Sequence, residues 1–345
     1  MSEFRIDQIK SQDASRGPDI AGITTFTGTS GIVMPSGDTA YRGGRGRGIW
    51  AGGSNGASYI KDIQYVTIAT TGDAVDFGDM TTGSSAAASS SSTRAVIFQG
   101  LTPTLVNTIE YFTISSTGNS FDFGDATMSV HETASASDNT RGLNAGGYSS
   151  GSGVPANTET IEYVTIASVG TNASDFGDLT KGRRAPGAFS SPTRACFASG
   201  YQQPSTAAQT NIIDYVTIAT TGDAKDFGDL TESGWGPAGM SSSTRGVFAG
   251  RLQPGMITTI DYITISSKGD AQDFGDTTAA CGRSSGTSNK VRGVYCLGNF
   301  PTSPNVSDTI DYITIATIGN AQDFGDLNQK THMAGATSDS HGGIG

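Results

Sequence analysis

Thr259-Ile260-Asp261-Tyr262-Ile263-Thr264-Ile265, followed after a short turn by Asp273-Phe274-Gly275-Asp276, decides the fold of this chain. Asp-Phe-Gly-Asp occurs six times, beginning at Asp76, Asp122, Asp175, Asp226, Asp273 and Asp323, at intervals of 46, 53, 51, 47 and 50 residues. Tandem similarity at a period near 50 is the mark of a propeller whose blades are four-stranded sheets. Ile260, Tyr262 and Thr264 alternate with Asp261, Ile263 and Ile265. That is the period of a strand, not a helix.

Each repeat divides into four strand-sized pieces. In the clearest copy these are Pro237–Ser242, Arg245–Gly250, Thr259–Ile265 and Ala271–Asp276; we call them strands a to d. Strand a is expected to be small in every copy, built from Gly, Ala and Ser, as at Ser85–Ser89. Small residues suit the crowded innermost position around a channel. A glycine recurs in each c–d turn at Gly72, Gly118, Gly170, Gly222, Gly269 and Gly319. A fixed glycine in a short hairpin predicts a positive φ. The equivalent rings Phe77, Phe123, Phe176, Phe227, Phe274 and Phe324, with Tyr65, Tyr111, Tyr163, Tyr215, Tyr262 and Tyr312, are expected to pack between blades and supply most of the apolar core.

The strand count predicts how the ring closes. The chain enters the pattern at strand b, Arg47–Gly53, and ends with a lone strand a, Met333–Ser338. The C-terminal strand should complete the first blade and leave no open edge. The expected architecture is therefore all-β: a six-bladed propeller over residues 46–345 with an N-terminal extension over 1–45. The extension lacks the repeat. It has apolar residues such as Ile6, Ile9, Ile20, Ile23 and Phe26, too few to fold alone, and a glycine-rich joint at Arg42–Gly46.

The order of these pieces resembles a kelch blade, with the pairs Gly52-Gly53 and Gly146-Gly147 where the kelch double glycine ends strand b. The kelch outer-strand tryptophan is replaced by the phenylalanine of Asp-Phe-Gly-Asp. The repeat unit is more closely similar to virion structural proteins of marine tailed phages, especially cyanophages. So are the leader segments Gly22–Phe26 and Pro35–Thr39. The resemblance covers almost the whole chain. It implies a kelch-like propeller in a virion, tail-associated, made in the host cytoplasm, and it brings no catalytic residues. A cellular kelch-like adaptor binding a protein partner is the alternative. With the virion reading, the extension is expected to hold the neighbouring virion proteins, and the ring to meet a host-surface glycan or protein.

Composition narrows the chemistry. A net charge of −11 gives no basic face for nucleic acid. No apolar run approaches the length of a membrane span, so no membrane insertion is expected. Cys196, Cys281 and Cys296 form no Cys-x-x-Cys and are read as small buried residues. His131, His332 and His341 supply no converging metal set. Asp73, Asp76 and Asp79 lack the alternate-residue spacing of a calcium loop. Asp-Phe-Gly also occurs in protein kinases, but six tandem copies without a phosphate loop exclude that role. No catalytic site, cofactor or metal is expected.

Two features remain as candidates. An arginine opens strand b in every copy: Arg47, Arg94, Arg141, Arg194, Arg245 and Arg292. It would form either a basic ring binding a polyanion or, the favoured reading, an internal pair with the Asp of Asp-Phe-Gly-Asp. The b–c loops vary in length: 54–58, 148–159, 201–211 and 299–308 in blades 1, 3, 4 and 6. Such loops gather on one face, so Tyr148, Tyr201, Gln202, Gln203 and Phe300 are candidates for a binding face, or merely part of solvated connections.

Overall fold

A computed structural model describes residues 46–149, 156–202, 208–301 and 305–340. The extension, Gln203 and His341 lie outside the described residues. Within them the chain is all strand and turn, arranged as six antiparallel sheets around a channel. In blade 5 strands a to d are Ala238–Ser241, Arg245–Leu252, Met256–Thr264 and Gln272–Cys281. In blade 1 the inner place is taken by the C-terminal strand Gly335–Ser338. It pairs with Arg47–Ala51 in the register Gly48↔Ser338 to Ala51↔Gly335. The ring closes as the strand count requires. Blade 4 adds a short strand, Tyr201–Gln202, against Ala208–Thr217.

Each blade buries both faces, because each is sandwiched between two neighbours. This is why both rows of strand c are apolar: Ile260 faces one interface, and Ile263 and Ile265 face the other. The core is six clusters, each built from two adjoining blades. One combines Ile161, Phe176 and Leu179 of blade 3 with Phe197, Val216 and Ile218 of blade 4. The six phenylalanines are almost wholly buried. The tyrosines are only half-buried and meet them edge-on at 5.8–6.1 Å. The expectation of twelve core rings is corrected to six. Ile, Val and Ala of strands b and c fill the remainder, because each tyrosine lies at the rim beneath an arginine.

Asp-Phe-Gly-Asp proves to be a joint between blades. Ile260 pairs with Gly275 and Asp261 with Asp273, so Phe274 is bulged out of the ladder and turned into the core. A Cβ on Gly275 would lie 2.6 Å from the backbone of Gly319, in the next blade's hairpin. That hairpin glycine has φ +152°, as its position predicts. The turn docks on the preceding strand d: Gly319 N–H donates to Phe274 O at 2.8 Å and Ala321 N–H to Asp276 O at 2.8 Å. Asp276 N–H donates back to Asn320 Oδ1 at 3.1 Å. The same bonds run round the ring, ending with Gly72 N–H to Phe324 O and Asp326 N–H to Asp73 Oδ1.

The channel is lined by a second closed circuit. Ser90 Oγ donates to Ser338 O, Ser137 to Ser90, Ser190 to Ser137, Ser241 to Ser190, Ser288 to Ser241 and Ser338 to Ser288, at 2.6–2.9 Å. Inner strands are not small in every copy, however. Phe189 breaks the pattern, lying 4.8 Å from Phe248 in the interface between blades 4 and 5. A Cβ on Gly246 would fall within its ring, so that glycine makes the room.

Candidate functional site

The repeated arginines pair with none of the Asp-Phe-Gly-Asp carboxylates among the described residues. Strand c lies between strand b and strand d, so that carboxylate is two strand spacings away, about 10 Å. Each guanidinium instead lies 4.4–4.9 Å from its own blade's tyrosine ring. Each also donates to a carbonyl at the end of strand c in the next blade: Arg47 to Ile114 O at 2.6 Å, Arg94 to Ile166 at 2.7 Å, Arg141 to Ile218 at 2.9 Å and Arg245 to Ile315 at 2.9 Å. Arg194 reaches Ile265 O, and Arg292 reaches Ile68 O at 3.0 Å. The arginine ring is thus a set of six clamps between blades, corrected from the expected pairs.

A further set of charges went unread in the sequence. The residue between Ile and Tyr in strand c is Glu110, Glu162, Asp214, Asp261 or Asp311 in five blades and Gln64 in the sixth, all buried. Each carboxylate accepts from a threonine of the preceding blade. Thr127 N–H and Oγ1–H reach Glu162 at 2.7 Å, and Thr180 Oγ1–H reaches Asp214 at 2.7 Å. Arg183 pairs with Asp214 at 2.9 Å and Arg251 with Asp261, all four side chains fully buried. Asp311 takes the Tyr295 hydroxyl at 3.3 Å, and burial pushes both groups above their ordinary pKa values. An acid recurring inside an apolar strand was the legible signal. Like the arginines, these acids bind blade to blade.

Asp73 does not gather with Asp76 and Asp79, since it caps Asp326 across the blade boundary. Among the described residues no group of three or more His, Cys, Asp or Glu is arranged to hold a metal ion. Burial pushes the thiols of Cys196 and Cys281 up to about 12 and that of Cys296 to about 11, so none carries thiolate at neutral pH.

The b–c loops and the connections entering strand a share one end of the ring, joined by bridges His131↔Tyr148, Arg184↔Tyr201, Trp235↔Leu252 and Gly282↔Asn299. We call this the loop end, and the opposite one the hairpin end. Tyr148 and Tyr201 are brought together here, both half-buried, with the Arg184 guanidinium 5.1 and 5.0 Å from their rings. Gln202 is half-buried beside them, whereas Phe300 packs against the apolar cluster of blades 5 and 6.

The residues that complete this end were not read from the sequence. Glu132 accepts from Arg283 Nη2 at 3.0 Å and lies 3.4 Å from Arg184 Nε, its own side chain only 3% exposed. Arg283 also lies 4.8 Å from the Trp235 ring, and Trp235 is 6.3 Å from Tyr201. Glu132 and Arg283 enter the inner strands of blades 3 and 6, Ala134–Ser137 and Ser285–Ser288, which face each other across the ring. Their ion pair therefore spans the channel mouth. Both have left-handed backbone, φ 56° and 52°, a strained state for residues other than glycine. Beside the pair lies a cavity of about 70 Å³ bounded by Phe98, His131, Thr133, Pro186, Pro237 and Met333. Burial lowers the pKa of His131, and that of His332 to about 4, so both imidazoles are neutral at pH 7.

No family model matches the chain, and no curated protein sequence is significantly similar to it.

Proposed function

We propose that this protein is a virion structural protein, tail-associated, whose propeller is a binding or decorating module and whose residues 1–45 attach it to neighbouring virion proteins. It carries out no catalysis in this reading. The observation behind the module is the contrast between scaffold and loop end. The repeated Arg, Asp/Glu and Ser side chains are engaged between blades, while Glu132, Arg184, Trp235 and Arg283, which lie outside the repeat, collect at one end of the ring. Each blade leaves only the short edge of its outer strand free, which gives the ring little with which to polymerise, so attachment falls to a segment outside it. The virion setting rests on the resemblance to phage structural proteins read in the repeat and leader of the sequence.

The test is incorporation. Mass spectrometry of purified particles should find the full chain, while a chain starting at Gly46 should fold as a monomer and be missing from particles. Normal incorporation of the shortened chain overturns the role given to the extension. Absence of the full chain from particles overturns the virion reading.

A further inference from the structure

We propose that the channel mouth is a binding site for a compact oxyanion, the acidic group of a surface polysaccharide, held by Arg283 and Arg184 against the opposing charge of Glu132. The inference rests on the reading of the loop end as the binding face. Its basis is the charge at the mouth. Two guanidinium groups meet one carboxylate, and the adjoining imidazoles are neutral at pH 7, so the cluster carries a net charge of about +1 on a chain of −11.

The arginines are also preorganised. Tyr148 and Tyr201 flank Arg184, Trp235 stacks with Arg283, and strained backbone at Glu132 and Arg283 sets their positions. A guanidinium held by aromatic rings keeps its planar donor fork for a carboxylate or sulfate while losing little further entropy on binding. The adjoining cavity, about 70 Å³, takes a small group rather than a whole oligosaccharide. Glu132 already occupies the donors that a ligand would use. An incoming oxyanion must compete with it, which makes Glu132 a negative determinant of affinity.

That competition yields a test with opposite signs. Trp235 is one of two tryptophans, and the other, Trp50, is deep in the core, so fluorescence reports on the mouth. The full-length protein is titrated with glucuronate, sulfate and glucose, followed by tryptophan emission and by ligand-observed NMR. Glucuronate should give a saturable response that weakens with added salt, and glucose none. Glu132→Gln should tighten binding roughly tenfold, since it raises the local charge. Arg283→Asn, which keeps a side chain tolerant of positive φ, should weaken it at least as much, and Arg184→Gln serves if that variant fails to fold. Tightening by Glu132→Gln is not what loss of a purely structural ion pair would do. Equal affinity for sulfate and glucuronate assigns the site to the oxyanion alone. Preference for glucuronate assigns it to an acidic sugar. Equal response to glucose, or no response in either the native protein or Glu132→Gln, overturns the inference. Particle incorporation is measured separately, so failure here leaves that result standing.

Discussion

The two ends of this ring use similar residues for different ends. At the hairpin end an arginine over an aromatic ring occurs six times, each time tied to the next blade's carbonyl. At the loop end, among the described residues, an arginine over an aromatic ring occurs at Arg184 and Arg283 only. There the partner is a single carboxylate, Glu132, and with Arg283 that partner stands across the channel. Repetition signals a contact that every blade boundary needs. Departure from repetition at the loop end marks a contact that the other blade boundaries do without. The same stacked cation is scaffold at one end and available chemistry at the other.

The largest test of the closed scaffold is its seam. Removing residues 331–345 takes away the inner strand of blade 1, opens the sheet edge of Arg47–Ala51 and breaks the serine circuit at Ser338. The melting temperature should fall by more than about 10 °C, with aggregation. A shortened chain that melts like the full one would show that the seam contributes nothing.

A smaller effect separates the two kinds of arginine. Arg245→Met removes a carbonyl clamp at 2.9 Å and the stack on Tyr262, and should cost about 1–2 kcal/mol in denaturant unfolding. Arg283→Asn should cost less, because the Arg283 side chain is partly exposed and Arg184 remains to pair with Glu132. If the order is reversed, the cross-channel pair is a structural brace and the contrast between ends collapses.

The smallest effect lies within the hairpin end itself. The side chain capping the preceding strand d is Asn119, Asn172 and Asn320 at three boundaries and Asp223, Asp270 and Asp73 at the other three. At the Asp boundaries the pKa values of Asp178, Asp229 and Asp326 are raised, by burial first and then by neighbouring carboxylates. A pKa raised on folding means the native state binds more protons, so stability falls as pH climbs through the carboxylate range. Replacing Asp73, Asp223 and Asp270 with Asn keeps the acceptor and removes the repulsion. The triple variant should melt slightly higher at pH 7, the gain being reduced by solvent screening of these exposed groups, and show a flatter pH dependence between about 4 and 6. Unchanged pH dependence would remove the charge contrast among boundaries.

Much of the fold was legible because a blade is a local object. Strand c alternates within seven residues, the hairpin glycine lies within reach of its own turn, and the leftover strand at Met333–Ser338 shows the seam by counting alone. The loop candidates Tyr148 and Tyr201 were legible too, as long insertions. What could not be read is what crosses from one blade to another. The repeat places an arginine and an aspartate once in each blade, but only the stacking of blades makes Arg141 reach Ile218 rather than a carboxylate of its own sheet. Glu132 and Arg283 are 151 residues apart and meet only because a six-membered ring sets blades 3 and 6 opposite each other. Short-range pattern determined the strands, the blades and their number. Stacking of blades around the closed ring, a long-range event, decided the partners of the repeated arginines and brought Glu132 to Arg283.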